Sequence, residues 1–396
     1  GGTASLPDCE NIPYRDDDPV GLIREAESRQ VELAVIGPEV PLVAGVADLF
    51  DTAGIPAVGP HREAAALEGS KIFAKEFMDR HGVPTAAWKK ADTPRDALEA
   101  VESFGVPVVI KADGLAAGKG VVVAGSREEA EEAITRFLVE GELGDAGSRL
   151  LIEECLLGTE LSLFALTDGS AFELLATAMD HKPIGEGNSG PNTGGMGVVA
   201  PHPHESRELL FRLQDEILRP TVRGIAAEKL RYRGVIFVGL MLTEEGPRVL
   251  EYNVRLGDPE TQALLPLLDS DLLPLLRATA EGTLQQANPP WREEHAVTVV
   301  AASGGYPGSY ERGHLIRGIE LPSTRDALWE TDSLPIPFIA GAQLAPGEGL
   351  ETSGGRVLAV TALGATRDEA RNTAYQRLSR IEFEKMYYRR DIPHLP

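Results

Sequence analysis

A chain of 396 residues with 42% hydrophobic and 25% charged side chains is too long for one core and reads as two to four globular domains. Its net charge of −23 excludes a general nucleic-acid or acidic-membrane binder, so an anionic ligand has to be met by local lysines, arginines and backbone N–H groups. No apolar run reaches the roughly 20 residues of a membrane span, no signal-peptide pattern opens the chain, and Cys9 and Cys155 lie far apart and outside metal-ligand spacing, which favours a reducing, cytoplasmic compartment.

In chain order, VELAVIG (31–37) predicts a buried strand, PLVAGVADLFDTAG a helix closed by Gly54, and IPAVGP (55–60) a second short strand. Strand, helix, strand at this spacing is a βαβ unit, so residues 1–90 are expected to form an open parallel α/β domain. Ser70 is placed to cap a helix through His81, with Gly82 and Pro84 beyond it. Thr93-Pro94 begins another helix. VPVVIKA (106–112) and VVVAG (121–125) flank a glycine-rich turn, and Ser126 with Glu129 reads as a capping box. LLIEECL (150–156) and ELSLFALTD (160–168) are two further strands. Together they suggest a small α+β unit, a mobile lid over about 106–172, inside a central domain spanning 91–292.

HKPIGEGNSGPNTGGMGVVAP, from His181 to Pro201, has six Gly, three Pro and no regular period. It reads as a long loop, of the kind that is either functional or disordered. A helix over roughly 205–230 follows, then a hairpin of VIFVGLMLT (235–243) and RVLEYNVRL (248–256). VTVVAAS (297–303), RVLAVTALG (356–364) and a capping box of Thr366 and Glu369 define a C-terminal α+β domain over 293–396.

In EYNVR, Glu251, Asn253 and Arg255 alternate along a strand and share a face, while Tyr252 and Val254 turn into packing. A carboxylate beside an amide oxygen suits Mg²⁺, which keeps waters and takes one or two carboxylates plus substrate phosphates. The same pattern also describes the polar face of an edge strand. In IKADGLAAGKG, Lys111 at a strand end and Lys119 in a glycine-rich turn with Gly118 are suited to phosphate oxygens, although the spacing is not a Walker A motif. The bland alternative is a flexible hairpin tip. IEECLLGTE offers backbone groups for a purine edge and Glu160 for ribose hydroxyls. Glu153 and Glu154 equally read as surface charge, as do His181 and Lys182 as ordinary exposed residues. Gly37, Pro38 and Glu39 sit at the carboxyl end of the first strand, where open α/β sheets bind ligands.

Together, VIKADGLAAGKGVVVA, GPNTGGMG, EYNVRLGDPETQ, GPEVPLVAGV, LEGSKIFAKEF, ASGGYPGSY and GGRVLAVTALG resemble the ATP-grasp ligases, and within them the glycinamide ribonucleotide synthetase family. The resemblance implies ligation of glycine to 5-phosphoribosylamine, with ATP cleaved to ADP and phosphate, through a glycyl phosphate in purine synthesis. It implies ATP and Mg²⁺, or Mn²⁺ in its place, small-molecule partners only, and a monomer or weak homodimer. Lys71, Lys111 and Lys119 would touch the ATP phosphates. Glu153, Glu154, Cys155 and Leu156 would line the adenine pocket, and Glu160 would hold the ribose. Glu251 and Asn253 would bind the metal. Asp180, His181 and the loop Asn192, Thr193, Gly194, Gly195, Met196 and Gly197 would surround the phosphate-transfer centre. Arg255, Asp258 and Glu260 would help place glycine and the ribosylamine.

The family pattern begins with a strand and a GxGGREHA turn before the Gly-Thr-Ala found here at Gly2–Ala4. The expectation is therefore an N-terminal domain without its first βα unit, less stable and weaker toward phosphoribosylamine. Another ATP-grasp carboxylate–amine ligase, or a nucleotide-binding remnant without turnover, are the competing readings.

Overall fold

The computed structural model describes residues 8–14, 18–116, 118–319, 336–347 and 349–394; Gly2–Ala4 lie outside the described residues. The first described helix, Pro19–Ser28, starts where the Asp18 side chain accepts from the Gly21 N–H. Only Ala34–Val35 of the expected first strand is extended, paired in parallel with Ala57–Val58, and Val35 is 50% exposed rather than buried. The helix expected up to Gly54 is two, Glu39–Ala44 and Val46–Thr52, because Gly45 adopts φ +89° between them. The cap reading around Ser70 agrees with the structure. Its hydroxyl accepts from the Phe73 N–H, and the helix Lys71–His81 stops at Gly82 in the left-handed region.

A small antiparallel sheet has the order Trp88–Ala91, Leu150–Glu154, Val108–Ala112, Val121–Ala124. The helices Pro94–Phe104 and Arg127–Ile134 cover one face with Ala97, Val101, Ala133 and Ile134 against Val108 and Ile110. Ser126 caps the second helix, but the Glu129 carboxylate returns to the Gly125 N–H rather than to Ser126, so the box is one residue displaced. This unit also takes in Trp88–Ala91 and gives up the strand expected at 160–168, which the lid reading had included.

That strand, Thr159–Thr167, is central in a nine-stranded sheet. Its main path runs Gly246–Asn253, Gly234–Thr243, Thr159–Thr167, Phe172–Asp180, Gly197–Ala200, His295–Ser303, Arg356–Gly364, Ile336–Ile339. Alternation along Thr159–Thr167 sends Leu161, Leu163 and Ala165 into one core and Phe164 and Leu166 into another, so both faces are buried. The first core takes Phe77 and Met78 from the capped helix and Leu213, Ile217 and Val222 from the long helical segment Arg207–Ala227. The sheet passes without a break from Gly197–Ala200 to His295–Ser303, Val198 opposite Thr298, so the C-terminal unit shares it.

The glycine-rich stretch is more ordered than a loop. Pro183–Gly185 pairs with Ser189–Asn192 as a small hairpin. Gly197–Ala200 lies between Phe172–Asp180 and His295–Ser303. A Cβ on Gly197 would meet the Thr298 carbonyl oxygen at 2.7 Å, so this close strand approach requires glycine.

Candidate active site

Between the small sheet and the hairpin edge of the large one lies a cleft of about 510 Å³, within the range of small-molecule sites. In a chain of net charge −23, Lys71, Lys75, Lys111, Lys182 and Arg255 converge on it. Lys111 leaves the strand Val108–Ala112, donates to the Leu250 carbonyl oxygen at 3.0 Å and lies 2.7 Å from the Glu153 carboxylate. Lys71 heads its helix and donates to the Gly114 carbonyl oxygen at 3.3 Å, which ties it to the glycine-rich turn. Burial pushes the Lys71 pKa down, against the pull of Glu251. Lys182 donates to Glu160 at 2.8 Å; loss of solvent opposes its charge, but Glu160, Asp180 and Glu251 outweigh that and hold its pKa above the usual lysine value.

Glu251 and Asn253 face the cleft from the strand Gly246–Asn253, while Tyr252 between them is buried in the core. Burial would raise the Glu251 carboxyl, but Lys182, Lys111, Lys71 and the Asn253 amide more than offset it and hold it below the ordinary range. Among the described residues no group of three His, Cys, Asp or Glu side chains forms an all-protein metal cage. An ionised carboxylate and an amide oxygen two residues apart, next to cations able to bind phosphate, instead fit Mg²⁺, which keeps waters and shares phosphate oxygens.

Asp180 and Glu260 supply an acidic corner. Burial pushes Asp180 well above the ordinary range, reinforced by Glu260, and its Oδ1 is buried without a hydrogen bond. Burial also raises Glu260. Arg255 reaches Glu39 at 3.2 Å and Glu68 at 3.4 Å. Glu68 accepts from the Val254 N–H at 2.8 Å, and burial pushes its pKa up to about 7. Arg356, from the strand Arg356–Gly364, holds the carbonyl oxygens of Gly194 (2.6 Å) and Asp258 (2.8 Å) and the Asp258 carboxylate (2.8 Å).

The cleft thus gathers Lys71, Lys111, Gly118, the run Glu153–Leu156 and Glu160 on its nucleotide side. It gathers Glu39, Asp180, Asn192, Thr193 and Gly194, together with Arg255, Asp258 and Glu260, around Glu251 and Asn253. Other expected residues lie elsewhere. The His181 side chain is 2% exposed and turned away from the cleft: its Nδ1 meets the Gly197 carbonyl oxygen at 3.1 Å and its Nε2 accepts from the His394 N–H at 2.9 Å. It braces the loop and does not face the site. Lys119 is exposed in the glycine-rich turn between Val108–Ala112 and Val121–Ala124, outside the cleft lining, and Gly37 and Pro38 are exposed beside Glu39. Met196 is fully buried; its N–H donates to the His181 carbonyl oxygen and its carbonyl oxygen accepts from the Val300 N–H, so with Gly197 it anchors the loop to the sheet. Gly195 lies behind the lining, φ +108°, where a Cβ would fall 2.7 Å from Asp180 Oδ1.

Glu68, Lys75, Lys182 and Arg356 are the residues that sequence reasoning left out of the site. Lys75 carried a readable signal, a lysine in the stripe of Ala74 and Met78 that its helix buries. Arg356 carried none, since its partners are distant in the chain.

Three family models for phosphoribosylglycinamide synthetase match most of the chain: the N domain over 1–68, the ATP-grasp (A) domain over 69–261 and the C domain over 296–395. A phosphoribosylamine–glycine ligase of Allochromatium vinosum is 46% identical over 396 residues, all of this chain and 90% of that protein. One of Caldanaerobacter subterraneus is 42% identical over 392 residues, 99% of this chain and 91% of that protein. The crystal structure of the phosphoribosylamine–glycine ligase of Thermotoga maritima is 35% identical, with a TM-score of 0.81 over 97% of this chain and 90% of that one. A biotin carboxylase domain from Hydrogenobacter thermophilus, solved with MgADP and bicarbonate, shares the fold at 17% identity and a TM-score of 0.69, over 93% of this chain and 78% of that one.

Proposed function

This chain belongs to the phosphoribosylglycinamide synthetase family, and from that premise we propose how its cleft performs the ligation. The chain is an ATP-dependent carbon–nitrogen ligase of purine biosynthesis that joins glycine to 5-phosphoribosylamine. ATP and Mg²⁺ serve the reaction. The observation that carries the residue-level reading is the convergence of Lys71, Lys111 and Lys182 on Glu251 and Asn253 in one cleft.

Phosphoryl transfer needs positioning and charge neutralisation more than a nucleophilic side chain. Lys71 and Lys111 bind the triphosphate and bring its terminal phosphoryl group toward the glycine carboxylate. The backbone of Glu154, Cys155 and Leu156 takes the adenine edge, and Glu160, with Lys182, the ribose side. Glu251 and Asn253 would hold Mg²⁺, or Mn²⁺ in its place, and the ion would supply positive charge against the phosphates. Arg255 and the acidic corner of Asp180 and Glu260 orient glycine and the ribosylamine; the carboxyl oxygens accept hydrogen bonds from the amino groups. Asn192, Thr193 and Gly194 cover the glycyl phosphate and exclude water until the ribosylamine nitrogen attacks its carbonyl carbon and phosphate leaves. The small sheet closes over the phosphates as a lid. We place the enzyme in the cytoplasm, where its two free thiols suit a reducing medium, and expect a monomer or weak homodimer.

A coupled ADP-release assay tests the reading. ADP release that needs both glycine and phosphoribosylamine is expected. Nucleotide binding without turnover would leave only the remnant reading standing.

A further inference from the structure

Lys75 is 1% exposed and is not needed to fill space, since a helix face packed with Ala74, Phe77 and Met78 would accept an apolar side chain. Its ammonium has three protons, and two of them are placed in hydrogen bonds. Nζ donates to Thr85 Oγ1 at 2.6 Å and to the Ala86 carbonyl oxygen at 3.4 Å. It also lies 2.7 Å from Glu153 Oε1, off hydrogen-bond geometry, so that contact is electrostatic. The other oxygen of the same carboxylate is 2.7 Å from Lys111 Nζ. Glu153 is 1% exposed and Lys111 5%, so water screens little within this row.

We propose that Lys75 is a positioning residue that neutralises Glu153 from behind, so that Lys111 presents a net positive charge to the nucleotide phosphates. The inference rests on the assignment of Lys111 to those phosphates. A buried Glu153–Lys111 pair on its own sums to zero and would draw the Lys111 ammonium back from the cleft. Adding Lys75 brings the row to +1 and divides the carboxylate between two cations. Lys75 acts on the ligand through Glu153, because two of its donors are taken by Thr85 and Ala86 and its remaining close contact is the Glu153 carboxylate.

The test compares dissociation constants for Mg-ATP and for adenosine, which has the base and ribose but no phosphate, in wild type, Lys75→Met, Lys111→Met, Glu153→Gln, and Lys75→Met combined with Glu153→Gln. Lys75→Met is expected to weaken ATP at least tenfold and to change adenosine less than twofold. Measured against Glu153→Gln alone, adding Lys75→Met is expected to cost ATP less than about threefold, since the carboxylate that needs neutralising is gone. Equal losses for ATP and adenosine, unchanged ATP affinity in Lys75→Met, or the same loss with and without Glu153→Gln would overturn the proposal. If Lys75→Met does not fold, Lys75→Gln, which removes the charge and keeps a polar head for Thr85, is read in its place against the same outcomes. Lys111→Met separates the two readings. Unchanged ATP binding there sinks the assignment of Lys111, whereas a loss there with none in Lys75→Met sinks only the role of Lys75.

Discussion

Arg356 and Gly194 are 162 residues apart in the chain, yet a 2.6 Å hydrogen bond joins the Arg356 guanidinium to the Gly194 carbonyl oxygen. The same guanidinium holds both the backbone and the carboxylate of Asp258. One side chain from the C-terminal unit therefore sets the distance between the loop over the reaction centre and the Gly-Asp-Pro-Glu segment opposite. Misplacing reacting groups by about 1 Å can cost on the order of 100-fold in rate. Arg356→Met is expected to lower coupled turnover by about 10- to 100-fold and to raise ADP release in the absence of phosphoribosylamine. Wild-type coupling in that variant would show that the loop is held by other contacts.

Gly195 is the tighter constraint. Its φ of +108° is hostile to L side chains, and a Cβ would run into Pro259 and Asp180 Oδ1. Gly195→Ala is expected to destabilise the protein by about 1–3 kcal/mol and to abolish coupled ligation. Gly194→Ala, where the new methyl would press on the movable end of Arg356, should cost less stability and chiefly uncouple ATP cleavage. Melting curves and ADP release, measured on both variants, check the order; equal stability losses would contradict it.

These two glycines show what a linear reading reaches. GPNTGGMG marks a close approach of backbone to substrate, but not its cause, because the atoms that forbid a side chain come from Pro259 and Arg356. Glu251 and Asn253 were readable because strand alternation involves only neighbours. The helix Lys71–His81 was readable because Ser70 and Gly82 are local stop signals. The strand Gly197–Ala200 was hidden because its register is set by Thr298, about a hundred residues on, and its glycine and short length carry no period. Thr159–Thr167 looked like part of the small unit because it follows Leu150–Glu154 closely. Gly158, extended at φ +158° against the Leu242 carbonyl, is where the chain crosses to the large sheet. His181 was misplaced for a related reason: its neighbours in sequence face the cleft, but its own partners are Gly197 and His394.

Burial would raise the Glu251 carboxyl, but Lys182, Lys111 and Lys71 hold it below the ordinary range, so it faces the cleft as a carboxylate. Glu251→Gln keeps the size and removes the charge. The Mg²⁺ concentration for half-maximal activity is expected to rise at least as much as the 10- to 100-fold seen for residues that merely support a metal ligand. Asn253→Ala should shift it less, because a neutral oxygen is lost. A titration of activity against free Mg²⁺ at saturating ATP reads both, and an unchanged Mg²⁺ requirement in Glu251→Gln would remove this residue from the metal site.

His181 gives the fold a readable acid limit. Burial pushes its pKa down to about 4 from an ordinary 6.5, with Arg389 adding to the shift. The neutral ring accepts at Nε2 from the His394 N–H and so carries its proton on Nδ1, toward the Gly197 carbonyl oxygen. A folded-state pKa below the unfolded one contributes stability that is present above pH 6.5 and is lost as the pH falls toward 4. The shift corresponds to on the order of 3 kcal/mol. His181→Gln should be less stable than wild type at pH 7.5, having lost a braced ring. Its deficit should shrink through pH 6.5 and nearly vanish by pH 4.5, since glutamine has no proton to gain. His202, pushed down to about 4 mainly by burial, remains in both proteins, so the difference between the two melting temperatures is the quantity to follow. A difference that stays constant from pH 7.5 to 4.5 would show that His181 is not the group whose protonation loosens the junction between the glycine-rich segment and the C-terminal residues.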